Sequence, residues 1–488
     1  MTQSSVEPKT SAEDAGSGSR TPAGRSWLDR YFHISERGST VATEVRGGVT
    51  TFMAMAYILL LNPLILSGKD VDGNLLGQPA LITATALAAA ATTLLMGFWG
   101  KVPLALAAGL SVSGVMASQV VPVMTWPQAM GMSVAYGAVI CLLVVTGLRE
   151  MIMNAIPLAL KHAITIGIGL FIAIIGFVKA GFVHENPAPG GGPVSLGPAG
   201  ELQGWPVLIF AVTLLLIFAL QARNVPGAIL IGIVVGTVVA VVLNAVADMP
   251  AKAWFSGPPE LHGSAVSAPD FSLFGQVSFS DWGDVGYITI TMIVFTLVLA
   301  GFFDAMATIL GVGTEAKLAD DKGRMPGLSK ALFIDGAGGV IGGGAGASGQ
   351  TVFVESATGV GEGARTGLAS VVTGGFFALC LFFTPLTAIV PQEVAAAALV
   401  VIGSMMMQNA KHVDWSDRSV AIPVFLTVVL MPFTYTITTG VAAGVISYAV
   451  IKTAQGKARE VGAFMWGLTA IFVVYFAIHP IESWLGVG

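Results

Sequence analysis

Residues 226–247 read PGAILIGIVVGTVVAVVLNAVA, a run with no charged side chain. A helix needs ~20 mainly apolar residues to cross the hydrocarbon of a bilayer, and runs of this kind recur along all 488 residues. Hydrophobic residues make up 54% of the chain and charged residues 10%, against about 25% charged in a soluble domain. A water-soluble fold is thereby excluded. The polar stretch 1–26 lacks the apolar centre of a cleavable signal peptide and reads as a disordered tail. Cys141 and Cys380 both fall in apolar segments, so no disulfide framework is implied. A net charge of −5 gives no reason to expect nucleic acid as a partner.

Uncharged candidates for spans lie near 47–66, 80–100, 103–122, 127–148, 155–178, 205–222 and 226–247. A polar, Pro/Gly-rich connection over 248–284 follows. The second half holds 285–312, 328–346, 350–362, 366–390, 393–409, 419–436, 437–452 and 462–479. Lys and Arg accumulate in short cytoplasmic loops, which sets the sidedness. With the N-terminus inside, alternate loops carry Lys101; Arg149 with Lys161; Arg223; Lys317, Lys322, Arg324 and Lys330; Arg365; Lys411 with Arg418; and Lys452, Lys457 and Arg459. The opposite loops carry only Lys69, Lys179 and Lys252. This predicts fourteen crossings through residue 452, with 462–479 interfacial or a fifteenth. Fusing 419–452 into one span would put the Lys452–Arg459 cluster outside, so two spans are expected there.

The expected architecture is an all-α polytopic protein of the plasma membrane, with its N-terminus cytoplasmic. A tail (1–42) precedes a first half (43–247), an extracellular loop (248–284), a second half (285–452) and a C-terminal segment (453–488). Two halves of seven spans invite a repeat. In transporters built from inverted repeats, Gly/Pro-interrupted segments at matching positions mark the central site. The third segments of the halves, PLALAAGLSVSGVMASQVV (103–121) and GASGQTVFVESATGVG (346–361), are both rich in small residues and poor as helices. Non-helical backbone at membrane depth is tolerated only where it is buried in protein or lines a cavity. The alternative is that these glycines serve close helix packing.

Acids away from the ends of the predicted spans are rare: Asp304, Asp335 and Glu355. A charge at the bilayer centre costs ~2.5–3.5 kcal/mol on insertion scales, so each needs a cavity or a partner. For Asp335, near a charged loop, a structural role is favoured; for Asp304 and Glu355, a functional one. Mid-membrane carboxylates can accept hydrogen bonds from an N–H-bearing solute, and one can take up a proton if burial raises its affinity. Gln350, Thr351 and Ser356 add polar groups near Glu355, and Phe302 and Phe303 offer faces for a flat ring.

Long stretches are recognisable at this point. EVRGGVTTFMAMAYILLLNP (44–63), GLREMIMNAIPLALKHAITIGIGLFIAIIG (147–176), FFDAMATILGVG (302–313), VFVESATGVGEGARTGL (352–368) and DWSDRSVAIPVFLTVVLMPFTYTITTG (414–440) carry the likeness. From about residue 43 onward the chain resembles the purine permeases of the nucleobase–cation symporter superfamily, in the AzgA-like branch. The resemblance implies fourteen spans in a seven-plus-seven inverted repeat, core and gate domains, and short antiparallel strands in spans three and ten. It also implies a homodimer and elevator-like import of guanine, hypoxanthine or adenine by proton symport, without a cofactor or metal. By position, Asp304, Glu355 and Ser348 match the branch's site residues. Ser113, Phe303, Gln350 and Thr351 complete the expected substrate contacts, and Asp304 and Glu355 the proton-coupling pair.

Three positions depart from the branch pattern. Gly301 stands where a second acid is usual, Ser113 where asparagine is expected, and GASGQTVF replaces a GTSTVTTY-like strand. They leave open a pyrimidine, a ureide or another heterocycle as cargo. An anion transporter or channel on the same scaffold should not oppose its ion with Asp304 and Glu355. GASG (346–349) is similar to the serine motif of intramembrane proteases, but the downstream histidines His412 and His479 lie outside mid-span, and no HExxH occurs. The expectation is a carrier, not an enzyme.

Overall fold

The computed structural model describes residues 26–148, 155–186, 194–197, 201–202, 204–247, 254, 258–260, 264–316, 318 and 327–485. The chain is mostly helical. Among the described residues, nine helices are long and apolar enough to cross a membrane: Val41–Ile65, Gln78–Gly100, Trp126–Val145, Leu158–Lys179, Trp205–Ala222, Ala228–Ala247, Gln392–His412, Ile437–Ala454 and Ala458–Ala477. The last begins close to the segment read as interfacial or as a further span. Shorter apolar helices occupy Leu110–Val120, Thr289–Phe302, Gly367–Cys380 and Arg418–Thr434.

Local sequence explains the breaks. The first apolar segment is two helices, Val41–Met55 and Ile58–Ile65, meeting at Ala56 and Tyr57. Pro63 lies inside the second, where it cannot donate a backbone hydrogen bond. Tyr435 adopts φ 54 and separates Arg418–Thr434 from Ile437–Ala454, at the place where two segments were expected rather than one. Four short strands complete the regular structure: β1 (Leu106–Ala108), β2 (Val183–Glu185), β3 (Val194–Leu196) and β4 (Gln350–Val352). β2 and β3 form an antiparallel hairpin after Leu158–Lys179. β1 and β4 form a second antiparallel pair, each within one of the two small-residue segments.

The helices fall into two packing sets. In one, Leu328–Ala345 lies against Trp126–Val145 and Gln78–Leu95, and Gly367–Cys380 against Val41–Met55 and Gln78–Leu95. In the other, Leu158–Lys179 lies against Gln392–Met406 and Arg418–Thr434, with Trp205–Ala222 and Ala228–Ala247 alongside. Close approach in the first set needs glycine. A Cβ on Gly339 would sit 2.6 Å from the Cα of Gly137, so only a bare backbone fits at this crossing. Contacts between the sets are fewer: Ile58–Ile65 touches Gln392–Met406, and the helix Tyr287–Glu315 touches Leu158–Lys179 and Ile437–Ala454.

Two connecting regions are more ordered than their composition suggests. Residues 27–32, within the stretch read as a tail, form a helix capped by Ser26. Its Tyr31 hydroxyl donates to Phe98 O at 3.1 Å, the Lys101 ammonium sits 4.4 Å from the Tyr31 ring, and Arg37 donates to Lys101 O at 2.6 Å. Aromatic packing therefore orders what charge and small residues on either side conceal. Residues 1–25 lie outside the described residues. In the long connection, Ser278 N donates to Pro127 O, Gly275 N to Gly344 O (both 2.8 Å), and Asp270 N to Thr83 Oγ1 at 3.2 Å.

Candidate functional site

The site grows from the β1–β4 pair. Leu106 faces Val352, Ala107 faces Thr351 and Ala108 faces Gln350. Gly109 N donates to Gly349 O at 2.9 Å and Phe353 N to Ala105 O at 3.0 Å, continuing the ladder at both ends. All six strand residues are buried, and a two-stranded sheet has two unpaired edges that nothing inside a membrane protein can hydrate. Side chains of neighbouring helices satisfy them. On β1, the Thr93 hydroxyl donates to Leu106 O at 2.8 Å and accepts from Leu106 N at 2.9 Å. On β4, Asp335 Oδ1 accepts from Thr351 Oγ1 at 2.9 Å and Val352 N at 3.3 Å. The buried acid Asp335 thus serves the strand edge.

The turn into β4 explains GASG. Gly346 (φ 86) ends Leu328–Ala345 in the left-handed region, and Ser348 (φ 69) adopts that region too, which is uncommon for a residue with a Cβ. Hydrogen bonds hold it there. Ser348 Oγ lies 2.8 Å from Ser113 Oγ, and Ser113 donates to Asn62 Oδ1 at 2.7 Å. Asn62 Nδ2 in turn donates to Ala347 O at 2.8 Å and Thr85 Oγ1 at 2.9 Å. Ser113, Ser348 and Asn62 are all fully buried.

After β4 the chain passes Phe353, Val354 and Glu355 into the short helix Ser356–Gly361. A cavity of about 370 Å³ opens at this junction. Tyr57, Ser111, Thr308 and Glu355 come from the first packing set, Thr165, Met406 and Asn409 from the second, and Lys411 and His412 lie at its rim. Tyr57 donates its hydroxyl to Glu355 Oε1. His412 stacks on His162 with ring centres 5.1 Å apart, and His162 Nδ1 lies 3.2 Å from Asn409 Oδ1. The cavity therefore offers a half-buried carboxylate, hydroxyls and an amide on largely apolar walls, the usual make-up of a small-molecule site.

The residues expected at the site divide. Glu355 is in the cavity wall. Ser113, Ser348, Gln350 and Thr351 are brought together behind it: Gln350 Nε2 donates to Ser348 O at 3.0 Å, and Thr351 turns to Asp335. Phe303 and Asp304 belong to Tyr287–Glu315, the helix that sends Thr308 to the cavity; their side chains lie outside the described residues. Sequence reading missed Tyr57, Ser111 and Asn409. Tyr57 had a signal, a phenol inside the apolar run FMAMAYILLLNP. Asn409 and His412 lie where the helix Gln392–Met406 gives way to a 3₁₀ turn, which no pattern announces.

Broken segments that meet at a cavity between two helix sets suit a multi-pass membrane transporter, and the chain's family and relatives make it one and not an enzyme. The chain belongs to the Permease family (Xan_ur_permease), whose family model matches residues 42–443. It is 36% identical over 456 residues to the guanine/hypoxanthine permease PbuG of Bacillus subtilis, spanning 92% of this chain and 99% of that one. It is 35% identical over 457 residues to the adenine permease AdeP of Escherichia coli, spanning 93% and 96%. Its fold is similar to the transmembrane domain of a cyanobacterium bicarbonate transporter, BicA, with TM-score 0.58 and 18% identity over 82% of this chain and 97% of that one. The murine anion transporter Slc26a9 gives 0.60 at 12% identity, over 92% and 77%.

Proposed function

We propose that this permease imports a purine nucleobase (guanine, hypoxanthine or adenine) by proton symport across the plasma membrane. The relatives named for those bases align over nearly the whole chain. The observation that carries the reading is Glu355, a carboxylate in the wall of a 370 Å³ cavity between the two helix sets, at the small end of the ~300–1,000 Å³ common for ligand pockets. The base lies against Glu355, which accepts its ring N–H groups. Asp304 and Glu355 carry the coupled proton, and neutralising a buried charge lowers the cost of moving it through the membrane. The pair β1–β4 with the network of Ser113, Ser348, Gln350 and Thr351 fixes the backbone behind the base.

The departures at 301 and 113 do not argue against a purine when read against the cavity. A Cβ on Gly301 would meet Tyr136, Val112 and Ile140 at 3.5–3.8 Å, none of which lines the cavity. Ser113 is spent on Asn62 and Ser348. Neither change removes an acceptor from the cavity wall.

The architecture we propose is fourteen spans in two inverted halves (43–247 and 285–452), a cytoplasmic N-terminus and a homodimer. Supporting the repeat, the two third segments pair antiparallel, and each strand's outer edge is satisfied from the apolar helix that precedes it, by Thr93 and by Asp335. The first packing set is the moving core and the second the gate. The cavity rim at Lys411 and His412 lies in a loop assigned inside by its charge, so the conformation faces inward. Uptake of labelled guanine, hypoxanthine, adenine, xanthine and uracil in cells lacking their own permeases, with and without a protonophore and beside Glu355→Gln, tests this. Protonophore-sensitive uptake of a purine, lost in the variant, is expected; no uptake of any purine by well-expressed protein overturns it.

A further inference from the structure

We infer that Tyr57 is a positioning residue for transport, whose hydroxyl aims the Glu355 carboxylate at the solute; the inference rests on the proposed purine reading. Tyr57 stands at the break between Val41–Met55 and Ile58–Ile65, its ring 1% exposed and 6.4 Å from that of Phe353. Packing leaves the ring one place to be, and from there the hydroxyl reaches Glu355 Oε1. The backbone of Glu355 is fixed as well. Its carbonyl accepts from Thr358 N at 2.9 Å and from Thr358 Oγ1 at 2.7 Å, at the start of Ser356–Gly361. The side chain beyond that backbone is flexible, and the phenol is among the groups that hold it.

A glutamate loses considerable rotamer freedom when it is ordered, and a partner that orders it beforehand spares the solute that cost. A carboxylate has about four lone-pair sites, and the phenol takes up only one of them. The phenol carries no charge, so it holds the carboxylate without forming an ion pair with it. A lysine or arginine in the same place would compete with the solute instead. The rival explanation is that Glu355 merely satisfies a buried phenol, in which case the hydroxyl matters to folding and not to the base.

A double-mutant cycle separates the two. Equilibrium binding of tritiated guanine, hypoxanthine and adenine is measured on the purified full chain for wild type, Tyr57→Phe, Glu355→Gln and the double variant. For the base that wild type binds, each single change is expected to weaken affinity about tenfold. The double variant should be no weaker than Glu355→Gln within about twofold. Additive losses, or unchanged affinity in Tyr57→Phe beside a weakened Glu355→Gln, overturn the role of Tyr57 and leave the purine reading standing. Full affinity in Glu355→Gln, or no purine bound by wild type, overturns the purine reading and this inference with it. If Tyr57→Phe does not fold, 3-fluorotyrosine at position 57 keeps the ring and makes the hydroxyl a stronger donor. Its effect on affinity should then disappear in Glu355→Gln, and an effect equal in both backgrounds, or none in either, overturns the inference.

Discussion

The hydroxyls of Ser113 and Ser348 meet at 2.8 Å across 235 residues of chain, each in one of the two small-residue segments that carry a strand of the β1–β4 pair. Asn62 closes the cluster by accepting from Ser113 and donating to Ala347 O. The crossing of the two strands is thus tied at one point to the first apolar segment. That segment also carries Tyr57, so the polar interior and the cavity wall share one short stretch, 57–65.

Removing Ser113's hydroxyl leaves Asn62 Oδ1 with only the long contact from Ser348 Oγ at 3.5 Å, and an under-satisfied buried polar group costs ~1–3 kcal/mol. Ser113→Ala is expected to lower the melting temperature while leaving the Michaelis constant and the order of preference among bases unchanged. Asn62→Ala should destabilise more, because it strands Ala347 O and both serines. Thermal unfolding of the purified protein and competition uptake in cells check the two halves of this prediction. A changed preference in a Ser113→Ala protein of normal stability would put that residue in contact with the solute.

Much of this was legible in the residues and some was not. The uncharged runs located most of the helices; GASGQTVF and LALAAGLS stood out as poor helices because they are rich in small residues, and strands at those places were what the family resemblance implied. What the segments do to each other was invisible. Ser113, Ser348 and Thr351 look like polar groups awaiting a solute, yet the register of β1 on β4 turns them to Asn62 and Asp335. Tyr57 looks like packing, yet the break beside it delivers a hydroxyl to Glu355. Partner choice is a long-range property, and a single sequence records only one side of each pair.

Asp335 illustrates how an acid can be required without being chemical. Its Oδ1 accepts from Thr351 Oγ1 and Val352 N while the residue is 3% exposed. An amide oxygen accepts the same two bonds, whereas a methyl leaves a strand edge unpaired. Asp335→Asn should therefore keep stability within about 1 kcal/mol and retain proton-coupled uptake, while Asp335→Ala should lose ~1–3 kcal/mol. Loss of coupling in a stable Asp335→Asn protein would move Asp335 into the proton path.

Glu44, fully buried, caps a helix far along the chain. Its two oxygens accept from Arg365 N at 2.8 Å, Thr366 N at 3.2 Å and Ala369 N at 3.3 Å, at the start of Gly367–Cys380. Helix N-termini leave N–H groups without intrahelical partners and favour negative charge, so this carboxylate joins the first and later halves of the chain at one end of the membrane. Glu44→Ala is expected to cost ~1–2 kcal/mol or more, seen as a lower melting temperature and a smaller folded fraction. Glu44→Gln, which keeps an acceptor without the charge, should fall between it and wild type.

The cavity's sidedness can be read chemically. Asn409 lines the cavity near the Lys411–His412 rim, in a loop that the proposed topology puts inside. With Cys141 and Cys380 first replaced by alanine, a cysteine at 409 should react with a membrane-impermeant maleimide in inside-out vesicles and not in intact cells. Saturating hypoxanthine should slow the reaction several-fold, because the solute occupies the space the reagent must cross. Labelling of position 409 from outside alone would invert the assigned topology, since one side of the cavity cannot open to both faces of a carrier at once. Labelling from inside without protection by any base would keep the topology and remove the solute from the cavity.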